Sequence, residues 1–348
     1  MTLDVRQEVL KLALRDPFRI ARSDHDAGHA VTTVVVELRD SRFPGVVGIG
    51  EGYPDRFYGE TVETMAAVVP LLIDAVGEPE PSPAGLVGAG ERMAGAIAHH
   101  GGAKCALDTA FHDLVGKVTG RSVRDLLDLP GPIPPTDFTL GLDEPEVVAE
   151  RARRAARFPA LKIKCGGPAD LATLEAVRSV YDGPIRVDAN TGWQPDEALA
   201  LLPELERLGV ELIEQPFPAR RLDQLRWLQE RSALPIVADE SAVTIDDLEG
   251  LVGVVAGVNV KLAKCGGIAP ARAMLDRARD LGFRTFLGCM EETSVVIAAS
   301  AAVASLADWV DLDGSLLLAV DPFTGLALGD DCRWQVGDAP GLGVTRRA

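Results

Sequence analysis

From residue 136 onward the chain alternates strand-like and helix-like segments eight times, and few folds accept that pattern. Runs of β-type residues recur at Thr136-Phe138-Leu140, Leu161-Ile163, Ile185-Val187, Glu211-Ile213, Ile236-Val237, Val258-Val260, Thr285-Leu287 and Val310-Leu312. Between most of them lie stretches with helical periodicity, such as Asp170 to Val180, Asp196 to Leu208 and Ala269 to Leu281. Strands joined by crossover helices run parallel, and eight of them close an α/β barrel of the (β/α)8 type. An open doubly wound sheet would carry a Gly-rich nucleotide loop after its first strand, and none stands there.

The first 120 or so residues follow an α+β pattern instead. Strand-like segments at Asp4 to Leu14 and Val31 to Leu38 precede helical stretches at Thr61 to Val76 and Ala103 to Lys117. Two segments rich in Gly, Asp and Arg, Asp16 to His29 and Gly48 to Glu60, read as loops able to close over an active site. The Pro/Gly segment Leu129 to Pro135 is the expected junction. The expected organisation is a capping domain over 1–125, a barrel over 126–322 and a C-terminal segment, 323–348, returning to the cap.

The formal charge of −17 repels nucleic acid and anionic lipid, so neither is expected as a partner. No basic leader runs into an apolar segment, and the longest apolar stretches, such as Val295 to Leu306, are too short to span a bilayer. A cytoplasmic location follows as an expectation. Five widely spaced cysteines without a CxxC pair read as reduced thiols, not as a disulfide framework or zinc site.

Chemistry shows where charged residues interrupt the ends of the apolar runs. Lys164, Asp188, Glu214, Asp239 and Lys264 follow one another at intervals of 24, 26, 25 and 25 residues, about one strand-helix unit each. Five consecutive strands thus present a charged group at the C-terminal end, where barrel enzymes carry their catalytic groups. Three carboxylates with no His or Cys among them are hard oxygen ligands suited to Mg²⁺. Lys162 and Lys164, two apart in a strand, share a face; at roughly 6.5 Å and an effective dielectric near 20 they repel by about 2.5 kcal/mol, enough to favour a neutral, basic Lys164. Lys264, four units further round, would face Lys164 across the mouth, and two bases on opposite faces of one carbon are what an epimerase needs. The tetrads Lys164-Cys165-Gly166-Gly167 and Lys264-Cys265-Gly266-Gly267 echo each other.

KxK, DAN, EQP, DES and KxxKxGG, with Gly48-Ile49-Gly50-Glu51 and Tyr58-Gly59-Glu60-Thr61 in the cap, resemble the motifs of the enolase superfamily in its muconate-lactonizing subgroup. The resemblance implies a modified (β/α)7β barrel, one Mg²⁺ per subunit with Mn²⁺ as a substitute, Asp188, Glu214 and Asp239 as its ligands, and Lys164 and Lys264 as paired bases. A homo-oligomer is compatible with it. All five histidines precede residue 113, so a barrel His base of the mandelate racemase type is absent. Within the subgroup, Asp311 and Asp313 place two carboxylates on one face of the last strand, costly unless they meet a cation. They resemble the ammonium-binding motif of dipeptide epimerases; N-succinylamino acid racemase and o-succinylbenzoate synthase are the alternatives. The segment Gly288 to Ser294 resembles the seventh-strand motif, with Glu292 at its Glu and Glu291 where that motif is more often apolar. Lys162, Thr139, Glu292 and Arg22 complete the expected substrate contacts, and Arg22 and Arg56 are loop cations available to an acidic side chain.

Overall fold

The computed structural model describes residues 3–22 and 28–347; the centre of the Asp16 to His29 loop, with His25, lies outside the described residues. Three antiparallel strands, β1 (Leu3–Ala13), β2 (Ala30–Asp40) and β3 (Val47–Gly52), form a sheet in sequential order. Three helices follow: α1 (Val62–Val76), α2 (Pro83–Ala96) and α3 (Gly101–Thr119). Thr61 and Thr64 close a reciprocal capping box at the start of α1, satisfying two of its free amides. Val34, Val36 and Leu38 of β2 point into a core shared with Met65, Leu72 and Phe111, the period of two in the strand meeting the helical period on one apolar layer.

β3 was expected as part of a loop because of its glycines. Their role is steric: a Cβ on Gly48, Gly50 or Gly52 would sit 2.2, 1.9 or 2.1 Å from the carbonyl oxygens of Ala110, Ala106 and Gly102. Two residues along a strand and four along a helix advance by about 6 to 7 Å alike, so the three glycines match three successive turns of α3. Helix and strand backbones touch there. The helix α2 also had no counterpart in the sequence reading.

Eight parallel strands follow: β4 (Phe138–Leu140), β5 (Leu161–Lys164), β6 (Ile185–Asp188), β7 (Val210–Glu214), β8 (Ile236–Ala238), β9 (Gly257–Lys261), β10 (Arg284–Gly288) and β11 (Trp309–Val310). They pair in chain order from β4 to β11. The Asp137 amide donates to Val310 O at 3.0 Å and brings the two end strands together. Each of the eight runs read from the sequence overlaps one of these strands, the last only at Val310. Phe286, Trp309, Leu212 and Val237 plug the lower interior, leaving the upper end to polar groups.

Cap and barrel are pinned by buried carboxylates. Glu51, at the end of β3, accepts from the Thr293 hydroxyl at 2.5 Å and amide at 3.0 Å. Asp108 of α3 accepts from the Ile268 amide at 2.6 Å, capping the first turn of the barrel helix Ile268–Asp280. Beyond residue 322, Trp334 Nε1 donates to Leu312 O at 2.9 Å and the Leu342 amide to Asp113 of α3 at 2.9 Å, so this segment contacts both domains.

Candidate active site

Parallel register decides the height of the charged residues. Lys164 is aligned with Asp188, and Asp188 with Glu214; Asp239 follows β8 directly, and Lys261 ends β9. Ligand oxygens of Asp188, Glu214 and Asp239 lie within 4.8 Å of one another, all three side chains buried. Above them is a cavity of about 780 Å³, bounded by the barrel mouth and by residues 14–22 and 53–63 of the cap.

The electrostatics fit a cation at the triad. Burial and Asp188 push the Glu214 carboxyl up to about 7. Its Oε2 has no aligned hydrogen-bond donor, although Lys162 Nζ stands 2.8 Å away. Asp188 is held at about 2, and Asp239 well below the ordinary carboxylate range; burial opposes both shifts, and Lys164 with Lys162, or Lys261 with Lys264, outweighs it. Three hard oxygen donors, one of them short of positive charge, match the donor set of Mg²⁺.

Lys162 does more than repel its neighbour. Its ammonium lies 3.0 Å from Asp311, 2.8 Å from Glu214 and 3.2 Å from Asp188, and although burial opposes its charge these carboxylates hold it well above the usual lysine range. The two-lysine repulsion argument therefore leaves out the larger forces in the site. Lys164 lines the cavity, with Nζ 2.6 Å from Asp188.

Lys264 does not line the cavity. It sits on the short helix Leu262–Cys265, and its ammonium is enclosed by Asp239 O (2.7 Å), Asp239 Oδ1 (2.5 Å), Ala242 O (3.0 Å) and Asn259 O (2.8 Å). Four oxygen acceptors thus take up the ammonium and turn it away from the cavity. Lys261, three residues earlier, lines the cavity and lies 2.8 Å from Asp239. The even 25-residue spacing pointed to Lys264. The signal for Lys261 was the alternation in Val258-Asn259-Val260-Lys261, which turns Asn259 and Lys261 to one face; Asn259 indeed donates to Glu214 at 2.8 Å.

Asp311 and Asp313 both line the cavity. Asp311 already meets a cation, Lys162, and accepts from the Thr139 hydroxyl at 3.1 Å; although burial opposes its ionisation, Lys162 holds it below the usual range. Asp313 accepts from the Thr139 amide at 2.6 Å, and burial beside Asp311 holds it well above that range. The demand for an external cation thus falls on Asp313. Thr139, read as a substrate contact, spends its hydroxyl and amide on orienting the two acids.

Glu292 turns away from the cavity. It accepts from the Met290 amide at 3.0 Å, and burial with Glu51 nearby pushes it up to about 8. Glu291 takes the place at the cavity wall and accepts from the Tyr53 hydroxyl at 3.0 Å. Arg22 lines the cavity too, but its guanidinium is paired with Glu240, donates to Asn190 O at 3.2 Å and lies 4.3 Å from the Phe57 ring centre. That leaves it little charge for a substrate. Arg56 is exposed at the cavity rim.

A barrel with an acidic triad at the ends of β6 to β8 and lysines on β5 and β9, under an α+β cap, has the architecture of a known class of enzyme. The chain belongs to the mandelate racemase/muconate lactonizing enzyme family of the enolase superfamily: residues 3–128 match that family's N-terminal domain and residues 146–347 the enolase C-terminal domain-like model. It is 36% identical over 339 residues to an L-Ala-D/L-Glu epimerase of Bacteroides thetaiotaomicron, covering 97% of this chain and 86% of that one. It is 35% identical over 360 residues to an L-Lys-D/L-Arg epimerase of Methylococcus capsulatus, covering 98% of each. A dipeptide epimerase from Enterococcus faecalis, complexed with Mg and the dipeptide L-Leu-L-Tyr, superposes with a TM-score of 0.90 at 32% identity over 99% of this chain and 100% of that one. Among the described residues no helix is long and apolar enough to cross a membrane.

Proposed function

We infer that this chain is a dipeptide epimerase, an isomerase that inverts the α-carbon of a dipeptide's second residue. The observation that carries the reading is the convergence of Lys164 and Lys261, from strands four apart in an eight-strand order, on one cavity above the acidic triad. Asp188, Glu214 and Asp239 would hold Mg²⁺, which would supply positive charge to the substrate carboxylate as the α-proton leaves. One lysine takes the α-proton on its side-chain nitrogen, and the C–H electron pair moves into the carboxylate. The other lysine, protonated, returns a proton to the opposite face; with the opposite epimer the two exchange roles. Asp313, buried beside Asp311 and short of a cation, receives the free α-ammonium. A succinylated substrate would bring a carboxylate to that place instead, which sets the racemase and synthase readings behind this one.

The test is isotopic. Dipeptides incubated with enzyme and Mg²⁺ in D₂O gain one deuteron at the second residue, read by mass spectrometry. EDTA stops the uptake, and Mg²⁺ or Mn²⁺ restores it. Uptake that continues in metal-free protein, or no uptake by any dipeptide, overturns the reading.

A further inference from the structure

We propose that Glu291 reads the side chain of the substrate's first residue and that this side chain is cationic, as in a lysine- or arginine-first dipeptide. The inference rests on the epimerase reading and adds the class of substrate. The α-ammonium belongs to the first residue, so that residue is anchored where Asp313 stands, just beyond β11. The neighbouring strand β10 pairs with β11 through Phe286 with Trp309 and Leu287 with Val310, and it delivers Cys289, Met290 and Glu291 to the same wall of the cavity. The two strand ends touch: a Cβ on Gly314 would lie 2.2 Å from Met290 O and 3.3 Å from Cys289 Sγ. A side chain leaving an α-carbon anchored at Asp313 therefore starts beside the Met290-Glu291 segment.

Glu291 is held ready there. It is half-buried, its Oε2 accepts from the Tyr53 hydroxyl at 3.0 Å, and it makes no ion pair among the described residues. Asp313 is left to the α-ammonium, and Arg56 stands at the exposed rim, where Asp55 and Glu63 also line the cavity; the remaining charged groups are balanced internally. Lys162, Lys164 and Lys261 lie against Asp188, Glu214, Asp239 and Asp311, and Arg22 lies against Glu240. A long cationic side chain brings the missing charge and lays its aliphatic stem along Met290. An acidic side chain meets a like charge, and an apolar one strands a half-buried carboxylate with a single hydroxyl for company.

The experiment measures kcat/KM by deuterium uptake for dipeptides sharing one second residue, with Lys, Arg, Ala, Leu or Glu first, in the wild type and in Glu291→Gln. Lysine- and arginine-first dipeptides should lead leucine-first ones by about tenfold or more, a difference of ~1.4 kcal/mol, with the glutamate-first dipeptide poorest. Glu291→Gln should collapse the ratio by a similar factor and narrow the gap to the glutamate-first dipeptide. Added KCl should erode the wild-type preference as well, a readout that stands even where the variant does not fold. Uptake with equal or better turnover of leucine- or glutamate-first dipeptides, or a ratio untouched by Glu291→Gln, overturns the proposal while leaving the epimerase reading intact. No uptake by any dipeptide removes both.

Discussion

The β5 to β9 side of the barrel mouth and the side formed by β10, β11 and the cap solve different problems with different materials. On the first side Lys164, Asp188, Glu214, Asp239 and Lys261 each occupy a strand end or the next residue, buried, at a height set by parallel register. On the second, Glu291, Asp313, Tyr53 and Arg22 come from loops, and several partners lie more than 200 residues apart in the chain, as in Tyr53 with Glu291 and Arg22 with Glu240. Chemistry that recurs for every substrate is built on rigid strands. Groups that meet the variable part of a substrate stand on loops, where replacement leaves the sheet undisturbed.

The largest effect that could break this contrast belongs to the strand-borne bases. Lys164→Ala and Lys261→Ala should each lower epimerisation by about 10³-fold, while each retains deuterium exchange with one epimer only and the two have opposite preferences. Identical preference in both variants would remove the two-face arrangement.

Lys264 sharpens the contrast by being a lysine of the same region with another task. Lys264→Met leaves the Asp239 carboxylate and three carbonyl oxygens without their shared donor, so urea unfolding should show a loss of about 3 kcal/mol. The folded fraction should still exchange both epimers. Unchanged stability with loss of one face would return the second base to Lys264.

Gly50→Ala probes the cap. A Cβ 1.9 Å from Ala106 O forces β3 off α3, with an expected cost of about 1–3 kcal/mol. KM should rise more than kcat falls, because residues 53–63 of the cavity wall follow β3 directly. A variant with wild-type melting temperature and KM would detach the cap from substrate binding.

The smallest effect is a pH dependence. Burial, with Glu51 nearby, moves the Glu292 carboxyl from the ordinary glutamate range up to about 8 on folding. Its raised value means that the folded state favours the neutral acid, so the stability it permits is lost as pH climbs from 4.5 towards 8. Glu292→Gln should therefore raise the melting temperature by a few degrees at pH 8 and much less at pH 5. An equal shift at both pH values would assign the effect to packing.

Sequence by itself determined the barrel, the acidic triad and the site's location. Period-two apolar runs, helical periodicity between them and a charged residue every 24 to 26 positions are local, repeating signals, and repetition makes a local signal legible. Where a site residue departed from the repeat, the reading slipped: the cavity lysine on β9 lies 22 residues after Asp239, not 25. β3 slipped for a similar reason, since glycines that look like loop punctuation serve a backbone contact with α3 that no local pattern encodes. Only tertiary structure decided which carboxylates were already paired. Asp311 and Asp313 are equivalent in sequence, yet Lys162 reaches one of them from a strand nearly 150 residues away and leaves the other short of a cation. Burial and charge pairing are properties of the assembled barrel mouth, where groups distant in the chain come within 3 Å and the low dielectric makes each missing partner count.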